Sequence, residues 1–159
     1  MNTNEIKEIF NKAYTYAMNN STCMKVKVGS ACLVDNTLIT ACNCSIEDSK
    51  NCIKLGECYK YKITGIYESC EETRKYCSAI HSEINLINRL KTLGFEVAMP
   101  TMTLFVTRYP CENCAKNIVD FGFKKVYYCG KQEISDEVKK IFKINGIDYK
   151  WYPEFDFEY

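Results

Sequence analysis

A histidine and a closely spaced pair of cysteines are the residues of this sequence best suited to hold a catalytic metal. His81 is the one histidine, and Cys111 and Cys114 follow it about thirty residues later. One imidazole and two thiolates occupy three positions of a tetrahedral zinc ion and leave the fourth free for water. Because an open position distinguishes a catalytic zinc from a structural one, these residues predict a catalytic metal centre.

The cysteine pair stands where a helix is expected to begin. Cys111 and Cys114 are three residues apart, so they share one face of the first helical turn. Pro110 suits a helix start because the first backbone amides lack partners within the helix, and the positive helix end favours thiolates. A histidine alone is compatible with a core position and a cysteine pair alone with redox chemistry, but together they favour a zinc site.

Glu83 stands two residues after the histidine, an offset that points it away from the metal on a regular helix. We therefore expect its carboxylate to move protons rather than to bind the ion. Zinc lowers the pKa of a bound water to about 7, which makes hydroxide available at neutral pH. This combination suits hydrolytic attack on an electron-poor carbon, such as removal of the amino group from a cytosine-like ring.

The elements that must position these residues can be predicted from hydrophobic periodicity. Helices are expected at 4–19, 79–93, 111–121 and 135–145, and strands at 28–34, 38–41, 102–107, 125–129 and 147–152. The alternation of strands and helices predicts a sheet with parallel portions covered by helices. In such sheets ligands bind beyond the carboxyl ends of the strands, where the following helices begin.

Composition predicts one domain, residues 1–159, and a small-molecule ligand. The chain has 47% hydrophobic residues and 21 Lys+Arg against 20 Asp+Glu, a balance typical of one compact domain. Scattered lysines and a net charge of +1 give little field to attract a polynucleotide. No apolar run approaches the roughly 20 residues of a membrane span. The polar start lacks the basic and apolar pattern of a leader, so we expect a cytoplasmic protein.

Two motifs, H-S-E at 81–83 and P-C-E-N-C at 110–114, resemble the signatures of the zinc-dependent cytidine and deoxycytidylate deaminase superfamily. The resemblance extends over about residues 21–128 and is closest to deoxycytidylate (dCMP) deaminases of the competence-operon and phage type. It implies a three-layer α/β/α cytidine deaminase-like fold with a five-stranded mixed sheet. It also implies hydrolysis of dCMP to dUMP and ammonia, with Glu83 moving protons beside the zinc.

The resemblance further implies where the substrate binds. Asn43 is expected to contact the sugar, and Val28 and Ser30 to line the base pocket. Ser82 and Arg108 are further candidates, with Arg108 available for a 5′-phosphate, although solvated surface charge is the alternative for that residue. Ser30 and Ser82 stand where the family commonly has alanine, so the substrate preference stays open.

A second, structural zinc is implied by the same resemblance. Its expected ligands are four cysteines around a cysteine-rich insertion at about 44–77, with Cys58 as a substitute: Cys23, Cys52, Cys70 and Cys77. Four thiolates form a complete structural ligand set. An odd count of eleven cysteines argues against a disulfide framework. The alternative is a set of free thiols in a segment that is ordered by packing alone.

Four further matters stay open at the level of sequence. The same chemistry could act on another ring, such as a modified dCMP, a free nucleoside, a pterin-like ring or a riboflavin precursor. A zinc-stabilised interaction module without catalysis is the alternative from a different class. The resemblance implies a homo-oligomer, a dimer or a hexamer, and the aromatic and acidic tail at 151–159 is predicted to fray or to pack on a neighbouring subunit.

Overall fold

A computed structural model describes residues 1–67 and 71–157. Its centre is a five-stranded sheet of β1 (Gly29–Val34), β2 (Thr37–Cys42), β3 (Leu104–Val106), β4 (Lys125–Cys129) and β5 (Asp148–Tyr152). The order across the sheet is β2-β1-β3-β4-β5. Strand β1 is antiparallel to β2 and β3, whereas β3, β4 and β5 run parallel to one another. The predicted mixed sheet is therefore confirmed.

The long helices follow the predicted periodicity. They are α1 (Thr3–Asn20), α5 (Ser82–Thr92), α6 (Glu112–Phe121) and α7 (Asp136–Ile144). Helix α5 begins three residues later than predicted. Ile80 forms an isolated β-bridge with Cys44, and this bridge keeps the backbone extended up to the start of the helix. In the part of the chain described, no helix has both the length and the apolar composition needed to cross a membrane.

The cysteine-rich insertion contains short helices that periodicity did not predict. They are α2 (Cys52–Leu55), α3 (Tyr59–Thr64) and α4 (Glu71–Arg74), preceded by a 3-10 turn at Asp48–Lys50. Local signals define α2, since the Asn51 side chain caps its start and Gly56 ends it in the left-handed region at φ 70°. Elements of four to six residues are too short for a repeat of 3.6 residues to be recognised.

Alternation along the strands divides the core between the two faces of the sheet. Ala31 and Phe105 pack with α1 on one face, while Cys32, Leu104 and Val106 pack with α5, α6 and α7 on the other. These contacts produce three layers: α1, the sheet, and the group of α5, α6 and α7. The arrangement places the starts of α5 and α6 near the carboxyl end of β3, where the motifs lie.

The tail after β5 packs on its own chain. Phe155 is buried against Phe10 and Tyr152, and the ring of Phe157 stacks on that of Tyr14 with 4.5 Å between centroids. The backbone amide of Gly130 also donates to the carbonyl of Phe155 at 3.1 Å. The prediction of a frayed tail is therefore wrong up to Phe157, because its aromatic residues cover an apolar part of α1.

Candidate metal centre and active site

The predicted ligands converge at one point. Nδ1 of His81 lies 3.3 Å from Sγ of Cys114 and 3.6 Å from Sγ of Cys111, and the three ligand atoms all lie within 4.8 Å of one another. On a tetrahedral zinc with bonds of about 2.0 Å to nitrogen and about 2.3 Å to sulfur, such atoms stand about 3.5 Å apart. Spacing and donor types therefore both fit a zinc ion.

Two helix starts bring these ligands together. His81 is the N-cap residue of α5 and Cys111 that of α6, and Cys114 lies in the first turn of α6. The segment before His81 is fixed by paired backbone hydrogen bonds between Cys44 and Ile80, of 2.9 and 3.1 Å. Each ligand is thus held by a fixed backbone, which is what a metal site with defined geometry requires.

The two thiols differ strongly in proton affinity. A hydrogen bond between them lowers the pKa of Cys111 to about 3 and raises that of Cys114, whose burial adds to the rise. The hydrogen bond with Cys111 also raises the pKa of His81. In the metal-free chain, Cys111 is therefore the thiol that loses its proton more readily. Because zinc ligands must be deprotonated, a bound cation takes the place of their protons.

Glu83 lies beside the ligands without joining them. Its side chain is 3% exposed, and burial raises its pKa above the ordinary value. The carboxyl group contacts the Cys114 thiol, and Oε2 accepts a hydrogen bond of 3.1 Å from the Ser82 hydroxyl. A buried carboxyl with a raised pKa is suited to accept a proton and return it in the same reaction.

Asn43, a predicted substrate residue, is buried and holds the chain before β1. Its Oδ1 accepts hydrogen bonds of 2.8 Å from the Val28 amide and the Ser21 hydroxyl, and its Nδ2 donates to the Val26 carbonyl at 2.8 Å. Val28, also a predicted substrate residue, is partly buried and packs against the larger core cluster. The structure thus brings Asn43 and Val28 into direct contact.

The remaining predicted substrate residues fall into two groups. Ser30 and Ser82 are fully buried and joined, since Ser30 Oγ donates to the Ser82 carbonyl at 2.7 Å. Arg108 lies between β3 and α6, partly buried, with its guanidinium 5.1 Å from the centre of the Tyr109 ring. Ser30 and Ser82 therefore lie next to Glu83, whereas Arg108 precedes the cysteine ligands on the same loop.

Sequence patterns missed two buried hydroxyls that shape this region. Ser21 Oγ donates to Asn43, and Thr107 Oγ1 accepts a hydrogen bond of 2.9 Å from the Gly29 amide. A single serine or threonine at the end of an element is too common to signal such a role. Arg74 was missed as well, although its positive charge lies close enough to lower the pKa of His81.

Four cysteines of the insertion and its surroundings line a cavity of about 70 Å³. They are Cys23, Cys52, Cys58 and Cys77. Burial raises the pKa of Cys52, and the other three thiols raise it further. Among the residues described, no three of these sulfurs lie as close together as the atoms of the His81 group. The predicted ligand Cys70 lies outside the described residues.

One histidine and two cysteines beside a buried carboxyl form the ligand pattern of a catalytic zinc, the kind found in zinc-dependent hydrolases. Residues 3–130 match the family described as the cytidine and deoxycytidylate deaminase zinc-binding region, and the chain belongs to that family. The resemblance given by the two motifs is thereby confirmed.

Two relatives show how far the likeness extends. ComE operon protein 2 of Bacillus subtilis (strain 168) is 29% identical over 129 residues, which are 80% of this chain and 60% of that protein. The deoxycytidylate deaminase of Enterobacteria phage T4 is 31% identical over 78 residues, or 49% of this chain and 39% of the phage protein. The chain therefore spans less than two thirds of the length of either relative.

Solved structures share the fold. The dCMP deaminase of cyanophage S-TIM5, in its apo form, superposes with a TM-score of 0.63 at 20% identity and covers 96% of this chain and 100% of its own. Its complex with dCMP and dUMP gives the same TM-score and identity, with 96% and 99% covered. The predicted cytidine deaminase-like architecture is confirmed by this likeness.

Proposed function

We propose that the chain catalyses zinc-dependent hydrolysis of dCMP to dUMP and ammonia. The observation that carries the proposal is the buried Glu83 carboxyl beside the converging His81, Cys111 and Cys114. This arrangement suits deamination because the reaction needs one group that takes a proton from water and returns it to a leaving amine. The names of the phage T4 and S-TIM5 relatives support dCMP as the substrate.

Glu83 performs the proton transfers in this mechanism. A zinc ion held by His81, Cys111 and Cys114 would supply the Lewis acidity that lowers the pKa of water to about 7. Glu83 takes a proton from the attacking water and delivers it to N3 of the ring while the oxygen bonds to C4. Glu83 then carries the remaining proton of that water, now on the C4 oxygen, to N4. The C4–N4 bond breaks, ammonia leaves, and C4 keeps its oxygen as the carbonyl of uracil.

Substrate contacts are a further part of the proposal. Asn43 would meet the sugar, while Val28, Ser30 and Ser82 would line the side of the pocket next to Glu83. The hydrogen bonds that fix Asn43 and Ser30 support this role because they keep the walls of the pocket rigid. Arg108 would meet the 5′-phosphate, since a guanidinium binds phosphate oxygens in a fixed geometry.

The second zinc is also proposed, with Cys23, Cys52 and Cys77 as ligands and either Cys70 or Cys58 as the fourth. Support comes from the cavity that Cys23, Cys52, Cys58 and Cys77 line together. Four thiolates would close the coordination sphere, so this ion would fasten the insertion and take no part in the reaction.

Location, assembly and domain organisation complete the proposal. The ten cysteines among the described residues form no disulfide, which supports the reducing environment of the cytoplasm. A single domain over 1–159 is proposed, with the insertion at about 44–77 as part of it.

A dimer or hexamer is supported by large apolar side chains that the insertion leaves exposed: Ile46, Ile53, Ile63 and Ile66.

Ammonia release from a panel of nucleotides tests the proposed function. The zinc-loaded chain is incubated with dCMP, CMP, dCTP and deoxycytidine, and ammonia and the uracil product are both measured. We expect turnover of dCMP in preference to the other three. Turnover of another compound alone would assign the same chemistry to a different substrate. No release from any of them would overturn the proposed reaction and favour an interaction module without catalysis.

A further inference from the structure

A chain of two hydrogen bonds connects the sheet to the carboxylate of Glu83. Ser30 on β1 donates from Oγ to the carbonyl oxygen of Ser82 at 2.7 Å. Ser82, the first residue of α5, donates from its own Oγ to Oε2 of Glu83 at 3.1 Å. Ser30 and Ser82 are fully buried, and Glu83 is 3% exposed. Little water therefore competes for these hydrogen bonds.

The geometry of the carboxylate depends on such a contact. A glutamate side chain has three rotatable bonds, and its last torsion has a broad minimum that packing alone defines poorly. Catalytic groups act well only when they are held within about 0.5 Å of the productive geometry. The Ser82 donor on Oε2, together with the hydrogen bond from the Glu83 backbone amide, restricts the plane of the carboxylate.

We propose that Ser82 is a positioning residue for Glu83 and that Ser30 acts through Ser82, an inference that rests on the proposed deaminase function. The Ser82 hydroxyl fixes the carboxylate, and the Ser30 hydroxyl fixes the first turn of α5 against β1. This chain therefore orients its proton carrier with two hydroxyls that an alanine at either position would lack.

Steady-state kinetics of zinc-loaded variants test the role of Ser82. Ser82→Ala removes the donor, and we expect kcat for dCMP to fall about tenfold, as for loss of a hydrogen bond to a charged group. KM should change by less than kcat, because the Ser82 side chain is fully buried and its hydroxyl donates to Glu83. Ser30→Ala affects Glu83 only through Ser82 and should lower kcat by about threefold.

The matched control is Thr92→Ala, which removes a hydroxyl from the exposed end of the same helix and should leave both constants unchanged. Zinc content and thermal midpoint are measured for every variant, so that a loss of metal or of folding is recognised. A kcat for folded, zinc-loaded Ser82→Ala within about twofold of the unsubstituted chain would overturn the proposal.

A second measurement separates this inference from the proposed function. If the unsubstituted chain releases no ammonia from any nucleotide tested, the proposed function fails, and crystal structures of the zinc-loaded chain and of Ser82→Ala decide the positioning role. We expect the Glu83 carboxylate to move by about 1 Å or to occupy two conformers in the variant, a displacement large enough to impair catalysis. An unchanged carboxylate in Ser82→Ala would overturn the positioning role.

Discussion

Glu83 shows how a single residue can favour chemistry and oppose folding. Its pKa in the folded chain is raised above the ordinary value of 4.5, chiefly by burial. The folded state therefore binds this proton more tightly than the unfolded state, and the ionised carboxylate lowers stability at neutral pH. As the pH falls through the folded pKa toward 4.5, the folded state becomes protonated and the penalty disappears.

Glu83→Gln should accordingly lose turnover and gain stability. We expect the rate of ammonia release to fall at least about a hundredfold, since the amide cannot carry the proton. The free energy of unfolding should rise by about 1 kcal/mol at neutral pH, because no charge is then buried. Urea titrations of the metal-free proteins at neutral pH, and again at a lower pH, measure the gain, which should shrink as the pH falls.

Glu96→Gln is the matched control, because Glu96 is exposed and its change should leave both activity and stability as they are. Full turnover by Glu83→Gln would show that the carboxyl is not the proton carrier. A variant less stable than the unsubstituted chain at neutral pH would contradict the electrostatic argument.

The contact between α1 and β1 connects the packing of elements with the active site. Gly29 begins β1, and a Cβ built on it would lie 2.1 Å from the backbone oxygen of Ala13 in α1. The absence of a side chain lets α1 lie directly on the strand. The same glycine follows Val28, whose amide is held by Asn43, so a displaced strand would also disturb the proposed substrate pocket.

Gly29→Ala should therefore destabilise the fold strongly. The clash is with backbone rather than with a flexible side chain, so the helix must move, and we expect a loss of about 3 kcal/mol in the free energy of unfolding. Gly146→Ala is the control, since its position has φ 63° and open space around it, and its strain should cost only about 1 kcal/mol. Urea unfolding of both variants checks the difference, and equal losses would contradict the close packing.

Sequence patterns predicted the long elements well because each shows its period over many residues. The bounds of β4 agree with the prediction, and the Ser135 cap marked the start of α7. The start of α5 was misplaced because the bridge between Cys44 and Ile80 joins residues that are distant in the sequence. The donor types of His81 and the cysteine pair predicted the candidate metal centre. The hydrogen bond between Ser30 and Ser82 could not be predicted, because these residues are far apart in the sequence and meet only in the folded chain.

At the scale of the whole molecule, the described part of the insertion contributes no residue to either of the two buried apolar clusters. Its helices α2, α3 and α4 have four to six residues each, and many of its apolar side chains are exposed. Helices this short are not stable by themselves. A metal closed by four thiolates would supply the missing free energy, because the binding energy of a structural zinc adds to folding. The cavity lined by cysteines lies where such an ion would join the insertion to the chain before β1.

Metal analysis of the purified chain tests this second site. We expect about two zinc ions per chain, and about one in Cys52→Ser, which removes a buried thiol from the cavity but leaves the His81 group intact. The insertion of this variant should be cut faster by protease, because it loses its link to the core.

Cys32→Ala, which changes a buried cysteine outside both clusters, should keep both ions. Cys58→Ser and Cys70→Ser then identify the fourth ligand, since only loss of a true ligand weakens the site. One zinc per unsubstituted chain, unchanged by Cys52→Ser, would leave the insertion held by packing alone.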